Sequence, residues 1–168
     1  MLGWEGENVK LYGEFPYNSI EKKIFASGEL RDEWFKKYPM LFDDDDYKIA
    51  TNQPGYHFFE WLGAIKIYED MGWISLVEKY QFKNHPRQRE IFKSLVSDEI
   101  FQIITTSRIS NNQGPDLFVF SPQKNDWFFC EVKGGKDRVS KSQEEMFKKI
   151  KEVSQKPVYL LKFKLDSE

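Results

Sequence analysis

The chain has 168 residues, 40% of them hydrophobic and 17% aromatic, with a formal net charge of -2. That is enough for one sizeable core and hardly for two, and the single cysteine, Cys130, excludes an internal disulfide framework. No apolar run approaches the roughly 20 residues of a membrane helix, and the opening MLGWEGENVK has neither the charged start nor the apolar centre of a signal peptide, so the expectation is a cytoplasmic domain with no membrane partner.

In chain order, NSIEKKIF reads as a capped helix start, with Asn18 as the cap and Glu21 answering it, and Gly28 interrupts before ELRDEWFKKY continues. Pro39, the run Asp43-Asp44-Asp45-Asp46 and the Gln53-Pro54-Gly55 turn separate this part from the rest of the chain. The aspartates read as a solvated loop, with metal binding as the alternative. Residues 1–56 are therefore taken as an N-terminal extension of unknown role packed on a main domain of residues 57–168. YHFFEWLGAIKIYEDMG has helical apolar spacing and stops at Gly72. WISLVEKYQF then reads as a strand, Pro86 opens the helix PRQREIFKSLV, and EIFQIIT reads as a further strand or the end of that helix. DLFVF, WFFCEVK and PVYLLKF are strands by their aromatic and β-branched content, and SKSQEEMFKKIKEVS is an amphipathic helix.

Charge is uneven along this order. Acids dominate residues 1–50, whereas lysine and arginine outnumber acids beyond Glu131, so a polyanion should meet that half, with Lys136, Arg138 and Lys141 as its contacts. Solvated helix faces account for many of these cations equally well. A second basic stretch, Lys83 to Arg89, lies at a helix N-terminus where phosphate could bind through Arg87 and Arg89. Its His85 reads more simply as a solvent-exposed cap.

The stretch from Pro115 to Lys133 carries the chemistry. DLFVF and WFFCEVK are joined by Ser121-Pro122-Gln123-Lys124-Asn125-Asp126, rich in turn formers. An antiparallel hairpin centred between Gln123 and Lys124 places Ser121 opposite Asp126 and Asp116 opposite Glu131. Opposed residues on one face have Cβ atoms about 5 Å apart. Lys133, two beyond Glu131, shares that face, while Cys130 and Val132 turn to the other. Two carboxylates this close repel unless a proton or cation intervenes, which suits a hard divalent ion such as magnesium. An ordinary cross-strand pair with a salt bridge to Lys133 is the competing account.

Pro115-Asp116 followed by Glu131-Val132-Lys133, then Gly134, Asp137-Arg138, Ser140 and Gln143, resembles the PD-(D/E)XK nucleases and, within them, the VRR-NUC group, over roughly residues 108–164. The resemblance implies an α/β, restriction-endonuclease-like core: a mixed central sheet flanked by helices in the order α-β-β-β-α-β. It implies magnesium-dependent hydrolysis of DNA phosphodiesters, with manganese able to substitute, metal ligands at Asp116, Glu131 and the Val132 carbonyl, and a catalytic lysine at Lys133. It also directs attention to an acid on the first core helix. Glu60 fits, because Gly63, Ala64 and Ile67 on its face permit close approach to the sheet; Glu69 and Asp70 are the alternatives. Gln143 is a site candidate or simply part of a polar helix face. Branched, flapped or broken DNA is the expected substrate, with a sequence-specific restriction activity or a non-catalytic binding module as alternatives. The oligomeric state stays open, a homodimer being among the arrangements allowed.

Overall fold

The computed structural model describes residues 8–106 and 114–166; the first seven residues of the N-terminal segment and residues 108–113 of the resemblance lie outside that range. The described elements run β1 (Val9–Tyr17), α1 (Ser19–Ser27), α2 (Glu29–Lys37), α3 (Asp44–Asn52), α4 (Phe58–Met71), β2 (Ile74–Val77), α5 (Pro86–Leu95), α6 (Asp98–Thr106), β3 (Leu117–Phe120), β4 (Trp127–Gly134), α7 (Lys141–Ser154) and β5 (Val158–Leu165). The strands form one mixed sheet in the order β1-β5-β4-β3-β2. The three strands β2, β3 and β4 are antiparallel neighbours, whereas β5 runs parallel to both β4 and β1. From α4 onward the order α-β-β-β-α-β is that of a restriction-endonuclease-like core, with α5 and α6 inserted between the first two strands.

Period-two alternation sorts the sheet into two apolar faces. Leu117, Val119, Cys130, Val132 and Leu161 pack with Phe25, Trp34, Phe58 and Trp61 of the N-terminal helices and α4. Phe118, Phe129 and Leu160 pack with Phe92, Ile104 and Phe147 of α5, α6 and α7. Each such aromatic or aliphatic side chain contributes about 1.5 to 3 kcal/mol when fully buried. Among the described residues no helix is long and apolar enough to cross a membrane.

Four local expectations change. First, β1 is a strand that the sequence reading does not assign: it joins the sheet's edge beside β5, with a register shift between Leu11 and Gly13. Second, the aspartate run is not a solvated loop. Asp43 caps α3, accepting from Asp46 N at 2.9 Å while Asp46 Oδ2 accepts from Asp43 N at 3.0 Å, and Asp46 is buried. The acids sit where the helix's free N–H groups and positive dipole end favour them. Third, EIFQIIT is neither strand nor the end of α5 but belongs to a separate helix, α6, started by the Ser97 hydroxyl, which accepts from Ile100 N at 3.2 Å. Fourth, β2 stops at Val77, because Glu78 takes a left-handed backbone with φ of 61°, a conformation that ends a ladder.

The other helix ends agree with the sequence. Asn18 accepts from the amides of Ile20 and Glu21, Gly28 and Gly72 close their helices in the left-handed region, and Pro86 opens α5.

Candidate active site

The hairpin pairs Leu117 with Cys130 and Phe120 with Trp127, and the Ser121 amide donates to Asp126 O at 3.0 Å. One step further along the same register, Asp116 stands opposite Glu131. There the ladder is continued by side chains: Val132 N donates to Asp116 Oδ2 at 2.9 Å and Asp116 N donates to Glu131 Oε1 at 3.2 Å. On the other side of Asp116, Glu78 N donates to its carbonyl at 2.7 Å. Three strands thus bring Glu78, Asp116 and Glu131 to one end of the sheet.

The loop entering β3 is clamped from below. Buried Tyr80 donates its hydroxyl to Pro115 O at 2.5 Å, and Gln81 Oε1 accepts from Gly114 N at 2.6 Å. Across the sheet, α4 approaches so closely that a Cβ on Gly63 would lie 3.1 Å from Val132 Cγ2. Glu60 lies three residues before Gly63, on the neighbouring turn of that helix, and reaches the same cavity.

Lys133 Nζ lies 3.0 Å from Glu131 Oε2, and Gln143 Nε2 donates to the same oxygen at 2.7 Å. Gln143 also accepts from Ser140 N through Oε1, while its own amide donates to the Ser140 hydroxyl. The capping box of α7 therefore fixes the glutamine that holds Glu131.

Glu60, Val132, Asp116, Glu131, Lys133 and Gln143 all line one cavity of about 610 Å³. Arg87, Arg89, Lys136, Arg138 and Lys141 do not line it. Of these, Arg87 pairs with Asp43 Oδ2 at 2.8 Å and Arg89 donates to Gln81 O at 3.0 Å. His85 is no exposed cap: its side chain is 12% exposed, with Nδ1 3.4 Å from Asp45 Oδ2. The acid run and the basic stretch, far apart in sequence, meet each other. Lys136, Arg138 and Lys141 are exposed on the loop between β4 and α7 and at the start of α7. Glu69 and Asp70, at the far end of α4, accept from the Tyr38 and Tyr12 hydroxyls.

Electrostatics make the cavity demanding. Burial, then the charges of Glu131 and Glu78, push the Asp116 carboxyl well above the usual carboxylate range, against the opposing effects of the Val132 amide and Lys133. Glu60 is pushed up by burial and by Asp116 and Glu78. Burial also raises Glu131, with Lys133 opposing it by charge and hydrogen bond. Lys133 loses solvation, but Glu131 outweighs that and holds its ammonium above the ordinary lysine value. Carboxylates held close around Lys133 form a site that favours added positive charge.

Two residues here escape sequence reasoning. His57 and Glu78 join Glu60 in a group whose ligand atoms lie within 4.8 Å of one another. The spacing of His57 and Glu60, three apart at a helix start, is a usable signal; Glu78 carries none, since WISLVEKYQF reads as one uninterrupted strand.

A mixed sheet with an aspartate and a Glu-x-Lys on adjoining strands, and an acid from the first core helix, defines the PD-(D/E)XK nuclease-like class. Within that class the chain belongs to the VRR-NUC domain family, whose model matches residues 65–161, more than half of the chain. The match begins beyond His57 and Glu60 and beyond all of residues 1–56. Comparison with curated proteins and with solved structures returns no match.

Proposed function

We propose that this nuclease-family chain is a divalent-metal-dependent nuclease that hydrolyses DNA phosphodiester bonds and prefers branched, flapped or broken DNA. The observation that carries the reading is the convergence of Asp116, Glu131, Lys133 and Glu60 on one cavity, where burial first and then the neighbouring carboxylates push the Asp116 and Glu60 carboxyls upward. The donor set fits a hard cation: carboxylate oxygens of Asp116, Glu131 and Glu60, with the Val132 carbonyl beside them in the strand, are ligands suited to magnesium, and manganese takes the same oxygens. Bound there, such an ion supplies Lewis acidity towards a phosphoryl oxygen and lowers the pKa of a water it carries.

The chain's own groups divide the remaining work. Glu131 holds the Lys133 ammonium at 3.0 Å, so Lys133 is charged and aimed into the cavity, where it would donate to the attacking water or to the phosphate oxygen on which charge develops. Gln143 keeps Glu131 in the conformation that serves both roles. Lys136, Arg138 and Lys141 stand outside the cavity on the next loop and helix start, where they would meet neighbouring phosphates and set register without reading sequence.

The test is digestion of a panel of linear, flapped, single-stranded and four-way-junction DNA with magnesium or manganese. Metal-dependent cleavage, faster on flapped or branched DNA than on linear duplex, is expected. No cleavage of any substrate with either metal would replace the nuclease with a binding module; cleavage only at a fixed sequence would replace structure selectivity with restriction.

A further inference from the structure

Glu60, already counted with the Asp116–Glu131 pair, also faces His57 and Glu78, two ligand-bearing residues that the pair does not use. His57 immediately precedes α4 and Glu60 lies in its first turn, so the two side chains neighbour each other. Glu78 arrives from the end of β2, where its left-handed backbone breaks from the strand. One ligand atom from each lies within 4.8 Å of the other two.

Two carboxylates and an imidazole in proximity do not make a site; the state of His57 supplies the second observation. The residue is 3% exposed, and its Nε2 lies 2.8 Å from Gln53 Oε1. An amide oxygen only accepts, so Nε2 carries the hydrogen. In the neutral ring Nδ1 then presents its lone pair. That atom lies 2.6 Å from Glu78 Oε2, yet it has no hydrogen-bond partner. The contact is short without the alignment a shared proton requires. The ring lone pair therefore points off that oxygen, and a buried nitrogen left without a partner beside a carboxylate is unfavourable unless positive charge lies against both. Ligating histidines are commonly held in this way, one ring N–H fixed by a neighbouring acceptor and the other nitrogen turned to the ion.

We infer that His57 Nδ1, Glu60 and Glu78 form a second divalent-cation site, beside the one at Asp116 and Glu131, and that its imidazole makes it favour first-row transition ions over magnesium. Magnesium prefers an all-oxygen, partly hydrated shell, whereas imidazole suits the transition series. The inference deepens the proposed function and rests on it for the neighbouring ion. Gln53 becomes a positioning residue, since it sets which nitrogen of His57 faces the cavity.

The experiment is a Mn2+ titration of the full chain followed by calorimetry and pulsed EPR, which reads nitrogen bound to manganese. Wild type should take two ions per chain, one of them coupled to a ring nitrogen and resistant to displacement by excess Mg2+. His57→Asn should remove the nitrogen coupling and one ion. Glu78→Gln, at a more exposed position, should weaken that ion without depending on the fold surviving a change at buried His57. Gln53→Ala should weaken it by roughly 10-fold or more, the loss typical when a ligand's supporting hydrogen bond is removed. Absence of nitrogen coupling in wild type overturns the inference, as does coupling that survives His57→Asn and disappears in His85→Ala. One ion that is lost in Asp116→Asn but unchanged in His57→Asn and Glu78→Gln overturns the second site and leaves the proposed function standing. No bound ion at all overturns both.

Discussion

Gln143 ties the cap of α7 to Glu131: its Oε1 accepts from Ser140 N at 2.9 Å while its Nε2 donates to Glu131 Oε2 at 2.7 Å. The two jobs can be separated, because a glutamate at this position also completes a capping box but cannot donate. Gln143→Glu should keep the helix, with melting within a few degrees of wild type in the presence of magnesium, yet cut cleavage by at least about tenfold, since it replaces a donor to Glu131 with a second negative charge. Circular dichroism and single-turnover cleavage read the two effects apart. Equal loss in Gln143→Glu and Gln143→Ala, with helix content down in both, would reduce Gln143 to a cap.

Gly134 concerns space at the end of β4. A Cβ added there would lie 2.3 Å from a ring atom of Phe59, and overpacking of this kind costs about 1 to 3 kcal/mol. Gly134→Ala should therefore lower denaturant stability by that amount, and a second change, Phe59→Ala, should recover part of it. The coupling is read from a double-mutant cycle by urea melts. Additive losses would mean that the ring already moves aside.

The pH dependence has a definite sign. Glu60, Asp116 and Glu131 have folded-state values raised above the ordinary carboxylate range, so the folded chain holds more protons there than the unfolded one. Their contribution to stability is therefore fully present below the unfolded carboxylate pKa and is lost as pH rises through the raised values. Asp32, Asp43 and Asp126 are lowered and act in the opposite sense, which makes the difference between variants the informative quantity. Glu60→Gln without divalent ions should gain stability over wild type as pH rises, each kcal/mol adding roughly 2 to 4 °C to Tm. Saturating magnesium or manganese should reverse the order. Parallel Tm-versus-pH curves for the two proteins would refute the repulsion.

DNA association should depend on salt through the cations just beyond the site. Replacing Lys136, Arg138 and Lys141 with alanine should weaken binding and make log K against log salt shallower, by about 0.9 for each duplex phosphate that is no longer neutralised. Fluorescence anisotropy across a salt series measures the slope. An unchanged slope would place the duplex elsewhere.

The hairpin was legible because a turn-rich connector and a strict period of two fix its register from nearby residues alone, which is why Asp116 and Glu131 could be set opposite each other. Helix stops at Gly28 and Gly72 were legible for the same reason: backbone chemistry at one residue decides them. Edge strand β1 was not. Its partner β5 lies about 150 residues away, parallel pairing has no local turn to announce it, and Gly13 and Pro16 break its strand pattern. The aspartates misled because a charge run looks solvated, whereas Asp43 and Asp46 at cap spacing were the better guide. His57 and Glu78 meet only because β2 ends in a left-handed turn, and nothing in EKYQF signals that turn.

The central claim is that the Asp116–Glu131 pair holds an ion needed for phosphodiester cleavage. Asp116→Asn tests it most directly, since the amide keeps the side chain's shape while removing the ligand's charge. The measurement is cleavage of a flapped DNA by wild type and Asp116→Asn over a magnesium titration, with DNA binding monitored in the same samples. Wild type should cut in proportion to site occupancy, and the variant should be slower by at least about a hundredfold, while binding DNA as well or better because one negative charge facing phosphate is gone. Equal cleavage by both proteins, or wild-type cleavage that persists in excess chelator, would contradict the account.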